Sequence, residues 1–229
     1  MRDTNLYVKH LHNPSDKKDY SLKALGGHTE EERFNVIVEQ LRKLPKTASV
    51  LLLGRYRSDI NLMIRCDQEG LFSIDQSTGN IRFLEKPDMD IRFMTAHASK
   101  GLQRDFVFLL CCSGGLKGFP STISEEPLLG LLLPEVERCP HAEERRLFYV
   151  AMTRCKKKLF FIVDQTRPSR FMYELHSKIC PNIFRGVKLP PQCPNCGEAL
   201  SLRHNRNDPN RSFYGCTGFP NCRYTQQAK

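Results

Sequence analysis

No run of 18 or more apolar residues occurs in this 229-residue sequence, so no membrane-spanning helix is expected. The start, Met1-Arg2-Asp3-Thr4-Asn5, lacks the basic and then apolar pattern of a secretory signal. A cytoplasmic setting is the expectation, and no membrane partner. No internal repeat is present. Neither is the pattern Gly-x-x-x-x-Gly-Lys-[Ser/Thr]. The loop that cradles nucleotide phosphates, and its lysine, are therefore missing. No convincing acidic magnesium motif stands in for them. Alone, the chain is expected not to hydrolyse ATP.

What the sequence does have is an ordinary hydrophobic content of 40% and a formal net charge of +10. The length allows one sizeable core plus one small module. The charge favours polyanions, meaning nucleic acid or an acidic surface. Of the ten cysteines, Cys66, Cys111, Cys112, Cys139, Cys155 and Cys180 are scattered. Cys111 and Cys112 lie in an apolar strand-like run, where free cysteine acts as a small hydrophobe. The other four form a C-terminal cluster, which reads as metal binding rather than as a disulfide framework.

Residues 1–28 are weakly patterned, with one strand-like piece at Leu6-Tyr7-Val8, and read as an N-terminal extension. Thr29-Glu30-Glu31-Glu32 has the form of a capping box. It opens a helix with Phe34, Ile37, Val38, Leu41 and Leu44 on one face, ended by Pro45. Val50 to Leu53 is an uninterrupted apolar run, as in a buried parallel strand. A hairpin is expected from Leu71–Ile74 and Ile81–Leu84 around Ser77-Thr78-Gly79-Asn80. Ile91–Met94 and Phe106–Cys112 are further strands. The Gly- and Pro-rich residues 113–140 read as an irregular excursion. Helices are expected over Ala142–Cys155 and Ser169–Lys178, with a strand at Leu159–Val163 between them. The alternation implies an α/β fold with a mostly parallel sheet over residues 29–187. A linker, Lys188-Leu189-Pro190-Pro191, leads into a small module spanning 188–229.

That module holds Cys193-Pro194-Asn195-Cys196-Gly197 and, farther on, Cys216 and Cys222. Zn2+ takes four soft ligands at tetrahedral corners, and each cysteine pair can supply two from one turn. Gly197 permits the backbone geometry that the first turn needs. The alternative is free thiols or disulfides. A core this small would draw its folding energy from the metal. Arg203, Arg206, Arg211 and Arg223 are interleaved with Phe213, Tyr214, Phe219 and Tyr224. Aromatic faces stack on unpaired bases while arginines meet phosphates, so single-stranded DNA fits this mixture. Alternatively, some rings pack the module's own core. The stretch from Cys193 to Thr225 resembles the C-terminal zinc ribbons of bacterial type IA topoisomerases, modules that bind single-stranded DNA.

Two segments of the larger region carry further chemistry. Thr95-Ala96-His97-Ala98-Ser99-Lys100-Gly101-Leu102-Gln103 lies between two strands, where small residues, a Gly and a Lys suit a phosphate-facing loop. Glu143 to Arg154 reads as a helix with one apolar face. Arg154 at its end can reach a γ-phosphate held elsewhere, or can be a solvated helix end favoured by the helix dipole.

Together these segments resemble the second RecA-like (2A) domain of UvrD/Rep-type superfamily 1A DNA helicases. Arg55-Tyr56-Arg57-Ser58 is similar to motif IV, Thr95–Gln103 to motif V and Glu143–Arg154 to motif VI. Gly118-Phe119-Pro120-Ser121 echoes a motif found between V and VI. The short gap between motifs IV and V leaves no room for a large inserted domain, a layout similar to that of helicase IV. The resemblance implies that Arg57 and Arg154 serve catalysis by reaching the γ-phosphate. It implies that Lys100, Gly101 and Gln103 lie toward the nucleotide. Gln103 stands where the family usually has Glu on the sugar, and Gln can still hydrogen-bond a hydroxyl. Thr95, His97, Ser99 and Lys100 would lie toward the DNA strand and the domain interface. ATP and Mg2+ would enter only with an N-terminal RecA-like half, in cis or in trans. Translocation from 3′ to 5′ is implied by the family alone. The other reading is a non-catalytic DNA-binding or regulatory module, a truncated helicase acting through the ribbon.

Overall fold

The computed structural model describes residues 21–121, 141–204 and 212–228. The expected strand at Leu6–Val8, the 122–140 part of the excursion, and Arg206 and Arg211 lie outside the described residues.

Thr29 begins the first helix as expected. Its hydroxyl accepts from the Glu32 N–H at 3.1 Å. The Glu32 carboxylate reaches back to the His28 N–H at 2.7 Å, one residue beyond the cap. Helix α1 (Glu30–Lys43) carries three acids in its first turn and Arg42 and Lys43 in its last, both matched to the helix dipole. It buries Phe34, Ile37, Val38 and Leu41. Replacing Thr29 by Ala removes an N-cap acceptor and is expected to cost about 1 kcal/mol in urea unfolding, while Thr29→Ser keeps the acceptor and should leave stability unchanged or slightly raised.

The sheet order is β1 (Ser21–Gly27), β7 (Cys155–Asp164), β6 (Arg104–Cys112), β2 (Ser49–Gly54), β5 (Asp90–Thr95), β4 (Asn80–Phe83) and β3 (Phe72–Ile74). The first five are parallel, and β4 and β3 add an antiparallel hairpin. Neighbours on the chain are thus dealt to both sides of β2. Burial on both faces explains the unbroken apolar run of β2: Val50 and Leu52 enter one core, Leu51 and Leu53 the other. The first core packs α1 and α2 (Asn61–Cys66). The second packs α3 (Ala142–Met152) and α4 (Arg170–Glu174), with Phe119 meeting Phe148 edge-on at 5.3 Å.

Three boundaries differ from expectation. Residues 21–27 belong to the sheet instead of an extension, because β1 pairs along its whole length with β7. Helix α3 stops at Met152, and Cys155 opens β7 opposite Arg104. Strand β7 then runs through Lys156-Lys157-Lys158, where its sequence hides the strand pattern. The expected helix over 169–178 is α4 followed by a π-helical turn, Leu175–Ile179.

The C-terminal module is a three-stranded antiparallel sheet, β10 (Thr225–Gln227), β9 (Ser212–Cys216) and β8 (Leu200–His204). No helix among the described residues is long and apolar enough to cross a membrane.

Candidate functional site

Strand β2 ends at Gly54, and Arg55, Tyr56 and Arg57 follow at its C-terminal edge. The two arginines meet different fates. Arg55 turns inward onto Glu144 of α3, with guanidinium–carboxylate distances of 2.6 and 3.0 Å. Only 10% and 12% of these side chains remain exposed. The Glu144 carboxylate also accepts the Ser121 N–H at 3.0 Å. Tyr56 and Ser121 hydroxyls lie 2.6 Å apart. Segments around residues 55, 121 and 144 are therefore tied by one polar cluster. Asp59 holds the turn by accepting from the N–H groups of Arg55 and Tyr56. Burial raises its carboxyl above the usual carboxylate range despite those bonds. Arg57 is exposed, with no hydrogen-bonding or ionic partner among the described residues.

The loop after β5 is shaped by local bonds. The Ala98 N–H meets the Thr95 hydroxyl at 3.3 Å. Ser99 is fully buried and donates its hydroxyl to the Ala96 carbonyl at 2.7 Å. It therefore shapes the loop and is not presented to a strand in this conformation. His97, Lys100, Gly101 and Gln103 are exposed, and Gly101 takes φ +85° in open space.

Arg154 sits where this loop meets the end of α3. Its Nε donates to the Val150 carbonyl at 2.9 Å, and Nη1 lies 3.4 Å from both the Ser99 and Leu102 carbonyls. Gln103 adds a 3.3 Å bond to the Thr153 carbonyl. Thus Arg154, Lys100, Gly101 and Gln103 are brought together. No contact joins Arg57 to Arg154 among the described residues. Arg55 meets the first turn of α3 and Arg154 follows its last, so roughly 15 Å of helix lies between these anchor points. Sequence reasoning missed Glu144. Its signal was weak, one of two adjacent acids in the stretch Glu143 to Arg146.

In the ribbon, the thiol sulfurs of Cys193, Cys196, Cys216 and Cys222 all lie within 4.8 Å of one another. Two of the separations are 3.3 and 3.7 Å. A tetrahedron with Zn–S near 2.3 Å has edges of about 3.8 Å, so the donor set fits zinc. Disulfides do not form, since all four are free thiols. The Gly218 N–H points at the Cys216 sulfur at 3.3 Å. Burial opposes ionisation of Cys193, but the N–H groups of Cys196 and Asn195 outweigh it and hold that thiol down at about 7. Gly197 has φ +78°, and a Cβ there would lie 2.6 Å from the Arg170 guanidinium.

Arg203, Phe213, Gly215, Phe219, Arg223 and Tyr224 surround a concave surface of about 480 Å³ beside the cysteine cluster. Phe219 is 61% exposed. Arg203 lies across Gly215, where a Cβ would come within 3.1 Å of its Cδ and Nε. Tyr214 points the other way and packs against the cysteine core, while Tyr224 touches both that core and the groove. The structure thus divides the aromatic residues between the ribbon's own core and its open groove.

Comparison with known proteins follows the same division. Residues 70–166 match the UvrD-like helicase C-terminal domain. Residues 191–229 match the topoisomerase DNA binding C4 zinc finger. The chain is 44% identical over 86 residues to DNA helicase IV of Escherichia coli, covering 38% of this chain and 13% of that protein. It is 31% identical over 154 residues to a probable DNA helicase II homolog of Mycoplasma capricolum, covering 63% and 18%. Against the ATP-dependent DNA helicase Rep of Buchnera aphidicola the identity is 35% over 105 residues, covering 42% and 14%. The chain therefore spans less than a fifth of the length of these curated relatives.

Proposed function

We propose that this chain, which carries a UvrD-like helicase C-terminal domain and a topoisomerase-type zinc ribbon, is the second motor half of an ATP-dependent DNA helicase and captures single-stranded DNA through the ribbon. The carrying observation is the ribbon groove, in which Arg203 and Arg223 flank Phe213, Phe219 and Tyr224 beside four clustered cysteines that can hold a metal ion. Exposed rings offer stacking faces to any base, and guanidinium groups meet the backbone between them. Zn2+ would hold the two turns that frame the groove.

In the motor, Arg57 is exposed at a strand's C-terminal edge and can swing toward a γ-phosphate bound by an N-terminal RecA-like half. Arg154 would follow, exchanging neutral carbonyls for anionic oxygens that bind a guanidinium more strongly. Lys100, Gly101 and Gln103 would face the nucleotide, and Thr95 and His97 the DNA strand. ATP and Mg2+ belong to the completed pair of halves, and 3′ to 5′ movement would be the property of that pair. The chain alone turns over no ATP in this reading. The competing reading, a regulatory DNA-binding module, keeps the ribbon and discards the motor role.

Fluorescence anisotropy with labelled single-stranded DNA tests the capture step. Two phosphate contacts, by Arg203 and Arg223, give a salt slope of about −1.4, or roughly sevenfold weaker binding from 50 to 200 mM salt. Phe219→Ala should weaken binding about fivefold to a hundredfold, the cost of one lost stacking platform. Binding unchanged by that substitution and by salt would sink the ribbon as the capture surface. ATP turnover that appears only when an N-terminal half is added, and disappears with Arg154→Ala, separates the motor reading from the regulatory one.

A further inference from the structure

The ribbon is seated on the motor domain through its two metal-binding turns. Arg170 Nη2 donates to the Cys196 carbonyl at 3.1 Å, in the first turn. Arg167 Nη2 donates to the Thr217 carbonyl at 2.9 Å, in the second. Arg167 lies in the segment between β7 and α4, and Arg170 opens α4. That segment is itself pinned to the residues after β6, by the Gly114 N–H to the Arg167 carbonyl at 2.7 Å and the Ser169 N–H to the Cys112 carbonyl at 3.1 Å.

The same two side chains reach into the motor. Arg170 Nη1 lies 2.9 Å from His141 Nε2. His141 precedes α3 and holds φ +59°, a left-handed conformation uncommon outside glycine, with no side-chain cap of its own. The Arg167 guanidinium lies against Gly115, where a Cβ would come within 2.7 Å of its Cζ. A carboxylate oxygen of Glu198, from the ribbon, closes over Gly114. Arg167 Nε and Glu198 Oε2 are both buried at this joint, without hydrogen-bond partners among the described residues. Tyr173 adds a bond to the Pro190 carbonyl at 2.9 Å.

We propose that Arg167 and Arg170 are positioning residues that hold the zinc ribbon at a fixed station on the motor domain, and so transmit metal occupancy to the start of α3 and to the 113–121 loop. The accepting groups are main-chain carbonyls inside the two cysteine turns. Their directions are set by the tetrahedral ligand geometry, and they are lost when the turns relax. His141 and Gly115 then lose the guanidinium groups that brace them. The inference stands whether or not the ribbon binds DNA.

Hydrogen exchange read by mass spectrometry on the full chain decides the matter. Zinc-loaded protein is compared with chelated protein and with a zinc-loaded Arg167→Gln/Arg170→Gln variant. The expected result is at least about tenfold faster exchange over 113–121 and 141–147 in both, with β2 and β6 unchanged. Metal analysis should show that the variant keeps its zinc. Unchanged exchange in those two segments would overturn the proposal and make the ribbon an independent appendage. Faster exchange throughout the sheet would also overturn it, because the metal would then support the whole chain. Loss of zinc by the variant would do so too, since the arginines would be building the site and not responding to it.

Discussion

Chelating the metal, or replacing Cys216 by Ala, is expected to unfold the ribbon and weaken single-stranded DNA binding by at least about tenfold. The physical reason is the poverty of the ribbon's own core. Its buried cluster consists of Cys193, Leu200 and Cys216, with partly buried Tyr214 and Tyr224 around it. Ordering each residue costs about 1–2 kcal/mol of backbone entropy, which so few apolar contacts cannot offset. A structural zinc supplies apparent binding energies of about 10–16 kcal/mol and becomes the folding energy of such a module. Metal analysis should find zinc lost in Cys216→Ala, and anisotropy should show the same loss of DNA binding as chelation. The seven-stranded sheet has two cores of its own and should retain its cooperative unfolding. Undiminished DNA binding after complete zinc removal would place capture outside the ribbon.

The second large effect should come from Glu144→Ala. Glu144 is the partner of Arg55 in a pair about nine-tenths buried on both sides. Deleting one member of a buried pair leaves an uncompensated charge and typically costs about 3–5 kcal/mol. In a domain of this size that corresponds to a fall of about 6–20 °C in thermal midpoint. The Ser121 N–H loses its acceptor as well. A cycle with Arg55→Ala should show strong coupling: the double variant should be less destabilised than the sum of the two single ones. Additive losses would mean that the pair contributes only packing.

Much of the fold was readable because burial on both faces leaves a plain signature. The runs at Val50–Leu53 and Phe106–Cys112 are apolar at every position, since alternate residues feed different cores. Strand β1 escaped because Ala24, Gly26 and Gly27 carry little strand propensity. Its place is set by β7, with Ser21 paired to Lys158 and Gly27 to Asp164, a partner that local sequence cannot reveal. The cysteine site was legible for the opposite reason, since ligand identity and spacing carry most of the information. Residue roles within it were less so. Tyr214 and Phe213 are neighbours in sequence, yet strand alternation sends one to the core and the other to the groove. Ser99 looked like a surface loop residue, and only the folded turn shows its hydroxyl bonded to Ala96. Arg55 and Arg57 differ by two positions, and the buried carboxylate that separates their roles comes from a helix 89 residues on.

The joint between the ribbon and the larger domain takes both of its hydrogen bonds from Arg167 and Arg170 in main-chain atoms on the ribbon side: the carbonyls of Cys196 and Thr217 accept, and Gly197 leaves room for the approaching guanidinium. A seat of this kind is largely indifferent to the identity of the side chains displayed on the opposite surface. Arg203, Phe213 and Phe219 are therefore free to drift while the mounting stays the same. The two halves of the chain can evolve at different speeds without coming apart.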